Sequence, residues 1–123
     1  VEDCGYTSVW DEFSGELRAQ FSLPPFPLLF CASALCKLRY GWSFGEAAPI
    51  KQVAKCQRPM LFIHGDADTF VPFSMMQRLY DAKRGEKKMW IAKGTRHAAS
   101  YLDYPHEYTE KVRDFLNVAT LHD

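Results

Sequence analysis

The 123-residue chain reads as an α/β domain organised around a parallel β-α-β unit, with part of its sheet lying outside the stretch. Three observations predict this. Two continuous apolar runs, residues 60–63 and 89–92, end in polar segments and have the composition of strands buried on both faces. One amphipathic helical pattern lies between them and another follows the second run. Strand, helix, strand and helix with short connections is the order of a right-handed parallel crossover. Finally, only one further strand end is visible, at residues 1–5, and that leaves open edges that a parallel sheet of apolar strands does not tolerate. The expectation is an incomplete domain: the C-terminal portion of a larger one.

Each element follows from local patterning. Residues 1–5 read as a strand end running into a turn. Ser8, with Asp11 three residues later, resembles a helix-opening capping box. Trp10, Phe13, Leu17 and Phe21 then form one apolar stripe of an amphipathic helix, broken by Leu23, Pro24 and Pro25. Pro27 suits the first turn of a second helix over residues 28–39, which is apolar nearly all round and stops at Gly41. A short helix from Pro49 to Cys56 follows. Pro59 leads into the first buried strand, which ends in His64, Gly65 and Asp66. Pro72 opens a helix through Ala82 with Phe73, Met76, Leu79 and Tyr80 inward, and the second buried strand spans Met89 to Ala92. A loop over residues 94–104 leads to Pro105 and a last helix, with Tyr108, Val112, Phe115 and Leu116 on one face. Residues 9–57 are thus a helical, cap-like region and residues 58–119 a β-α-β-α unit, within a single domain.

Composition excludes several classes. Fifteen basic residues balance fifteen acidic ones, so the net charge is zero and the surplus that draws a protein to nucleic acid or an anionic membrane is lacking. The longest apolar run, residues 26–36, is about half of the roughly 20 residues a membrane span requires. No charged start followed by an apolar run suggests a signal peptide in this stretch. Cys4, Cys31, Cys36 and Cys56 form no C-x-x-C pair and no His pair lies at zinc-finger spacing. They read as reduced, mostly buried cysteines, which weakly favours the cytoplasm.

Two segments carry reactive side chains beyond the carboxyl ends of neighbouring strands, where open α/β sheets gather their functional groups. They are His64-Gly65-Asp66-Ala67-Asp68-Thr69-Phe70-Val71-Pro72 and Gly94-Thr95-Arg96-His97. A carboxylate on one loop can fix the tautomer of an imidazole on the other and stabilise its charged form, which is half of a nucleophilic triad. Asp66 and Asp68 both compete for the acid role. His64 reads as a packed or hydrogen-bonded strand-end residue, and His106 and His122 as solvated. A mononuclear metal site built from His64, Asp66, Asp68 and His97 is a rival reading; an EF-hand fails because Phe70 and Val71 occupy positions that need a ligand and a glycine. Gly41-Trp42-Ser43-Phe44-Gly45 is a formal G-x-S-x-G, but a nucleophile elbow needs a buried strand before the serine and a helix straight after it. Ser43 instead follows a basic helix end, and Pro49 interrupts what comes next.

Residues 60–115 resemble the C-terminal part of α/β-hydrolase-fold enzymes, in particular bacterial members similar to prolyl-oligopeptidase-like esterases and peptidases. In that family a strand ends in His-Gly-x-x-Asp-x-x-Val-Pro, matched here by His64, Gly65, Asp68, Val71 and Pro72. The resemblance implies Asp68 as the triad acid and leaves Asp66 to cap the turn. The family's catalytic histidine lies in the loop after the next strand, often preceded by glycine, which implies His97. The opening Val1-Glu2-Asp3-Cys4-Gly5-Tyr6-Thr7-Ser8 is similar to the family's strand end before its variable helical insertion. The implied function is a serine hydrolase acting on an ester or a peptide/amide bond of a small-molecule or peptide substrate, without cofactor or metal. The nucleophilic serine is expected among residues preceding Val1, so the stretch by itself is expected to be inactive. Its apolar surfaces are expected to drive self-association or pairing with an N-terminal half. The apolar second helix is a candidate lining for an acyl or aromatic pocket. The alternative is a non-catalytic α/β interaction module.

Overall fold

The structure, a computed structural model, describes residues 1–120. Its elements are β1 (Glu2–Asp3), α1 (Val9–Phe21), α2 (Leu28–Tyr40), α3 (Pro49–Lys55), β2 (Met60–Gly65), α4 (Phe73–Ala82), β3 (Lys87–Ala92), α5 (Ser100–Asp103) and α6 (Pro105–Thr120). The three strands form one parallel sheet in the order β1-β2-β3. Glu2 and Asp3 lie opposite Phe62 and Ile63, while β2 and β3 run together from Met60 and Lys87 to Gly65 and Ala92. The chain is therefore α/β, as expected, and the strand end at its start is a paired strand.

β2 is apolar from Met60 to Ile63 because helices cover both of its faces. On one side Phe62 packs with Val53 of α3 and with Met76 and Leu79 of α4. On the other, Leu61 and Ile63 pack with Phe115 of α6, flanked by Trp90, Tyr108, Val112 and Ala119. Phe62 and Ile63 have no exposed surface, and burying such side chains contributes about 1.5–3 kcal/mol each. The α6 stripe thus continues through Ala119 rather than Leu116, which is 49% exposed. β3 is an edge strand and not a buried one: Met89 and Trp90 are half-buried and Ile91 is exposed.

The helical region departs further from expectation. Ser8 does cap α1, its hydroxyl accepting the Asp11 N–H at 3.0 Å. Asp11 completes no capping box, since its carboxylate takes the Thr7 hydroxyl and Arg78 instead. Gly41 ends α2 with φ +84°, the left-handed conformation that glycine adopts without steric cost. Phe13 and Phe21 of the α1 stripe are exposed, as are Leu28, Phe30, Leu35 and Leu38 of α2, the uncovered apolar surface expected of these two helices. The two helices pack on each other through Trp10 against Phe30 and leave an apolar groove of about 310 Å³ between Phe13, Leu17, Phe21, Leu28 and Leu29. The one buried residue of α1 is Glu12. Because α2 lies outside the core, only Cys4 of the four free cysteines is buried; Cys31 is exposed, and Cys36 and Cys56 are half-buried. Among the described residues no helix is long and apolar enough to cross a membrane.

Candidate active site

The loops after β2 and β3 cross at Gly65. A Cβ placed there would sit 2.1 Å from the Thr95 carbonyl oxygen, so only glycine admits the close approach. The Ala67 N–H donates to that same carbonyl at 3.1 Å. Asp66, exposed, accepts the Gly94 N–H at 2.6 Å. Asp66 is therefore a cap, as its position after a strand suggests, although it caps the neighbouring loop rather than its own.

This crossing brings the next carboxylate to the histidine. The Asp68 side chain is fully buried, and its Oδ1 accepts the N–H groups of Phe70 and Val71, both at 2.9 Å. Its Oδ2 lies 2.8 Å from His97 Nδ1. A carboxylate only accepts, so Nδ1 carries the proton and Nε2 presents a lone pair. Nε2 makes no hydrogen bond to any described residue, and the ring, 37% exposed, lies against Phe70 with centroids 5.0 Å apart. His64 is fully buried; its Nε2 donates to the Val71 carbonyl at 2.8 Å and lies 3.4 Å from Asp68 Oδ2. It props the acid loop and leaves its own Nδ1 without a hydrogen-bond partner among the described residues. His106 is exposed, as expected, and His122 lies outside the described residues.

Two residues that the sequence left without a role complete the surroundings. Cys4, at the end of β1, accepts the N–H of Ala98, the residue after His97, at 3.2 Å. Its thiol lies 3.2 Å from Asp3, whose other oxygen accepts the Tyr108 hydroxyl. Burial and then the Asp3 carboxylate push the thiol up to about 12, so Cys4 is a neutral thiol rather than a thiolate. Glu12 of α1 is 6% exposed, and neither carboxyl oxygen has a hydrogen-bond partner among the described residues. Burial above all, and then the negative Glu16 and Asp68, push its carboxyl up to about 7, against a smaller opposing pull from His97. No signal in the sequence pointed to either residue, because the pairing of β1 with β2 is visible only in the fold.

The four residues weighed as metal ligands do not all converge: His64 and His97 each approach Asp68, whereas Asp66 is turned to the Gly94 N–H. Cys4, His64 and Asp68 do cluster, with candidate ligand atoms within 4.8 Å of one another. Both Asp68 oxygens and His64 Nε2 are already engaged in hydrogen bonds, however, and the Cys4 thiol is protonated. Ser43 stands in a turn between α2 and α3. Its N–H donates to Glu46 at 2.6 Å, and Lys37 holds that same carboxylate. This is not a strand-turn-helix elbow, and no described serine bonds to His97.

A parallel sheet covered by helices on both faces, with its polar loops at the carboxyl ends of the strands, is the layout of an α/β-hydrolase domain. The serine hydrolase (FSH1) family model matches residues 10–99, and the chain belongs to that family. The Bacillus subtilis (strain 168) protein YqkD, itself described only as uncharacterized, is 38% identical over 117 residues. The match covers 95% of this chain and 38% of that protein, so the chain spans well under half the length of its curated relative. Among solved structures, the Pyrococcus furiosus esterase Pf2001 aligns with a TM-score of 0.58 and 18% identity, over 87% of this chain and 40% of the other. Bromoperoxidase from Bacillus anthracis is 29% identical, with a TM-score of 0.53, over 61% of this chain and 27% of that one. The metagenomic α/β-hydrolase MGS-MChE2 aligns over 90% of this chain and 58% of its own, with a TM-score of 0.53 and 12% identity.

Proposed function

We propose that this stretch supplies the acid and the base of a serine hydrolase that cleaves an ester or amide bond in a small-molecule or peptide substrate, as in prolyl-oligopeptidase-like enzymes. The observation that carries the proposal is the 2.8 Å bond between buried Asp68 and His97 Nδ1, with Nε2 left open. In the reaction His97 Nε2 takes the proton of an attacking serine hydroxyl as the serine bonds to the substrate carbonyl. It then returns that proton to the leaving group, which departs as an alcohol or amine. Asp68 holds the ring in the accepting tautomer and stabilises the imidazolium. Two backbone donors fix the other Asp68 oxygen, so the carboxylate cannot turn away from the ring.

The nucleophile in this reading comes from residues outside the stretch, in keeping with its coverage of 38% of YqkD and with the turn geometry of Ser43. The exposed apolar residues of α2 fit a surface that pairs with the remainder of the enzyme or, in isolation, with a second copy. The test is labelling of the intact protein by a fluorophosphonate, with and without His97→Ala. Labelling that depends on His97 at a serine outside this stretch is the expected result; labelling at Ser43, or none at all, overturns the reading.

A further inference from the structure

The loop that carries His97 holds a backbone conformation that its own residues do not favour. The Ala99 N–H donates to the Arg96 carbonyl at 3.2 Å, which closes a four-residue turn with His97 second and Ala98 third. Ala98 has a φ of +54°, whereas His97 is not among the described residues with positive φ. A positive φ at the third position but not the second is the type II pattern, which favours glycine or asparagine there; alanine at that position suits type I. The two types differ by a flip of the central peptide, the unit formed by the His97 carbonyl and the Ala98 N–H. That flip turns the backbone on which the imidazole stands. Ala98 is exposed, so packing of its methyl group does not impose the choice.

A hydrogen bond from β1 does impose it. The Ala98 N–H, the donor of that central peptide, reaches Cys4 Sγ at 3.2 Å. Cys4 is buried and is itself fixed from two directions. Its backbone N–H donates to the Ile63 carbonyl at 3.0 Å, in the strand that leads into the acid loop. Its thiol donates to Asp3 Oδ1 at 3.2 Å, and Asp3 Oδ2 accepts the Tyr108 hydroxyl of α6 at 3.0 Å. A thiol that gives its proton to Asp3 keeps its sulfur lone pairs for Ala98.

We infer that Cys4 is a positioning residue for His97: its sulfur holds the central peptide of the 96–99 turn in the flipped orientation and so sets the imidazole against Asp68. The inference rests on the reading of His97 as the base. The two supports of the histidine act differently. Asp68 bonds to the ring and fixes its tautomer. Cys4 bonds to the backbone beside the ring and fixes where the ring stands. Without the sulfur the turn relaxes toward type I, the peptide flips, and the 2.8 Å bond from His97 Nδ1 to Asp68 is lost.

The experiment is kcat and KM of the intact enzyme on an activated ester, with a melting curve for each variant. The variants are Cys4→Ala, Cys4→Ser, and Cys4→Ala combined with Ala98→Gly. Cys4→Ala is expected to lower kcat roughly 10- to 100-fold with KM little changed, since a misplaced base slows the chemistry and not the binding. Cys4→Ser, whose hydroxyl also donates and accepts, is expected to retain more activity than Cys4→Ala. The double variant decides the mechanism. Glycine adopts the left-handed conformation without steric cost, so it holds the turn without the sulfur and is expected to return most of the lost kcat. A purely structural role for Cys4 gives no such recovery. A folded Cys4→Ala with full activity, or a double variant no more active than Cys4→Ala, overturns the inference. If Cys4→Ala does not fold, the wild type decides: its Ala98 amide is expected to exchange slowly with deuterium, and exchange at the rate of an open amide overturns the inference. His97→Ala separates the two claims: if it is inactive while Cys4→Ala behaves as wild type, only the role of Cys4 falls. If His97→Ala retains activity, both the base assignment and this inference fail.

Discussion

Replacing Asp68 by asparagine tests the acid-base pair with little change of shape. The direction of the effect follows from the hydrogen bonds that the two Asp68 oxygens accept. Asp68 Oδ1 accepts two backbone N–H groups at 2.9 Å, and an NH2 in that place would set donor against donor. The introduced asparagine therefore keeps its carbonyl oxygen toward Phe70 and Val71 and turns its NH2 to His97 Nδ1, where the carboxylate oxygen stood 2.8 Å away. That NH2 can only donate, so Nδ1 becomes the acceptor and the proton moves to Nε2, the atom that accepts the serine proton in the proposed reaction. The ring is then held in the tautomer that cannot act as a base, and the negative charge that stabilises the imidazolium is gone. Losses of about 10³–10⁴-fold in kcat are expected, equivalent to roughly 4–5.5 kcal/mol of transition-state stabilisation. Folding is expected to survive, because both backbone donors keep an acceptor. The assay is kcat on an activated ester with the intact enzyme, together with nitrogen NMR of His97 to read the tautomer. Asp66→Asn is the control: its carboxylate is exposed and takes only the Gly94 N–H, so little activity should be lost. If Asp66→Asn costs more than Asp68→Asn, or if Asp68→Asn keeps activity within tenfold, the reasoning is refuted.

Gly65→Ala should separate the two loops, because its methyl would lie 2.1 Å from the Thr95 carbonyl; a loss of about 1–3 kcal/mol, read as a lower melting temperature, and a drop in activity are expected. Stability should fall as the pH rises from 5 to 8, because burial pushes Glu2 and Glu12 up to about 7 from an ordinary 4.5. The folded state therefore holds their protons where the unfolded chain releases them, and stability present below about pH 4.5 is lost on the way to pH 7. With solvent screening of half-buried Glu2 allowed for, the loss is roughly 2–4 kcal/mol, and urea midpoints at pH 5 and pH 8 would expose a wrong sign. The isolated 123-residue stretch should not hydrolyse activated esters above background, and Ser43 should stay unlabelled by a fluorophosphonate. The same stretch should also run as a dimer or larger in light scattering, burying at least about 1,200 Å² in total; a monomer that melts cooperatively would contradict this.

What was legible in the sequence divides according to what patterning can encode. β2, α4 and α6 were legible because each packs against the centre of the sheet, so period and burial agree. A stripe such as Phe13, Leu17 and Phe21 says that some surface will cover it, not which one, and in this chain Phe13 and Phe21 are exposed. β3 read as buried because edge and centre strands share an apolar composition; only the pairing order distinguishes them. The short α5 was missed within a stretch that reads as loop, where four residues offer no period. The meeting of Asp68 and His97 was legible because their loops follow neighbouring strands, although it was the resemblance, not spacing, that favoured Asp68 over Asp66. The role of Cys4 was not legible, since its bond to the residue after His97 exists only after β1 has folded beside that loop, nor was the burial of Glu12 on a helix whose apolar stripe is exposed.

That contrast explains how the pair is supported. One layer of support is local to the β-α-β unit: Gly65 admits the crossing, Asp66 holds Gly94, and His64 holds Val71 beside the acid. These contacts use the residues of one strand end and the next, so they form as the unit forms and need nothing from the helical region. The second layer is long-range. β1 reaches the residue after His97 through the Cys4 thiol. A defect in the first layer should disturb folding and activity together, because the same hydrogen bonds carry both. A defect in the second should leave the β-α-β unit folded and alter how His97 handles its proton. Cys4→Ala falls in that second group, and a pH-rate profile distinguishes it from Gly65→Ala more sharply than a melting curve does.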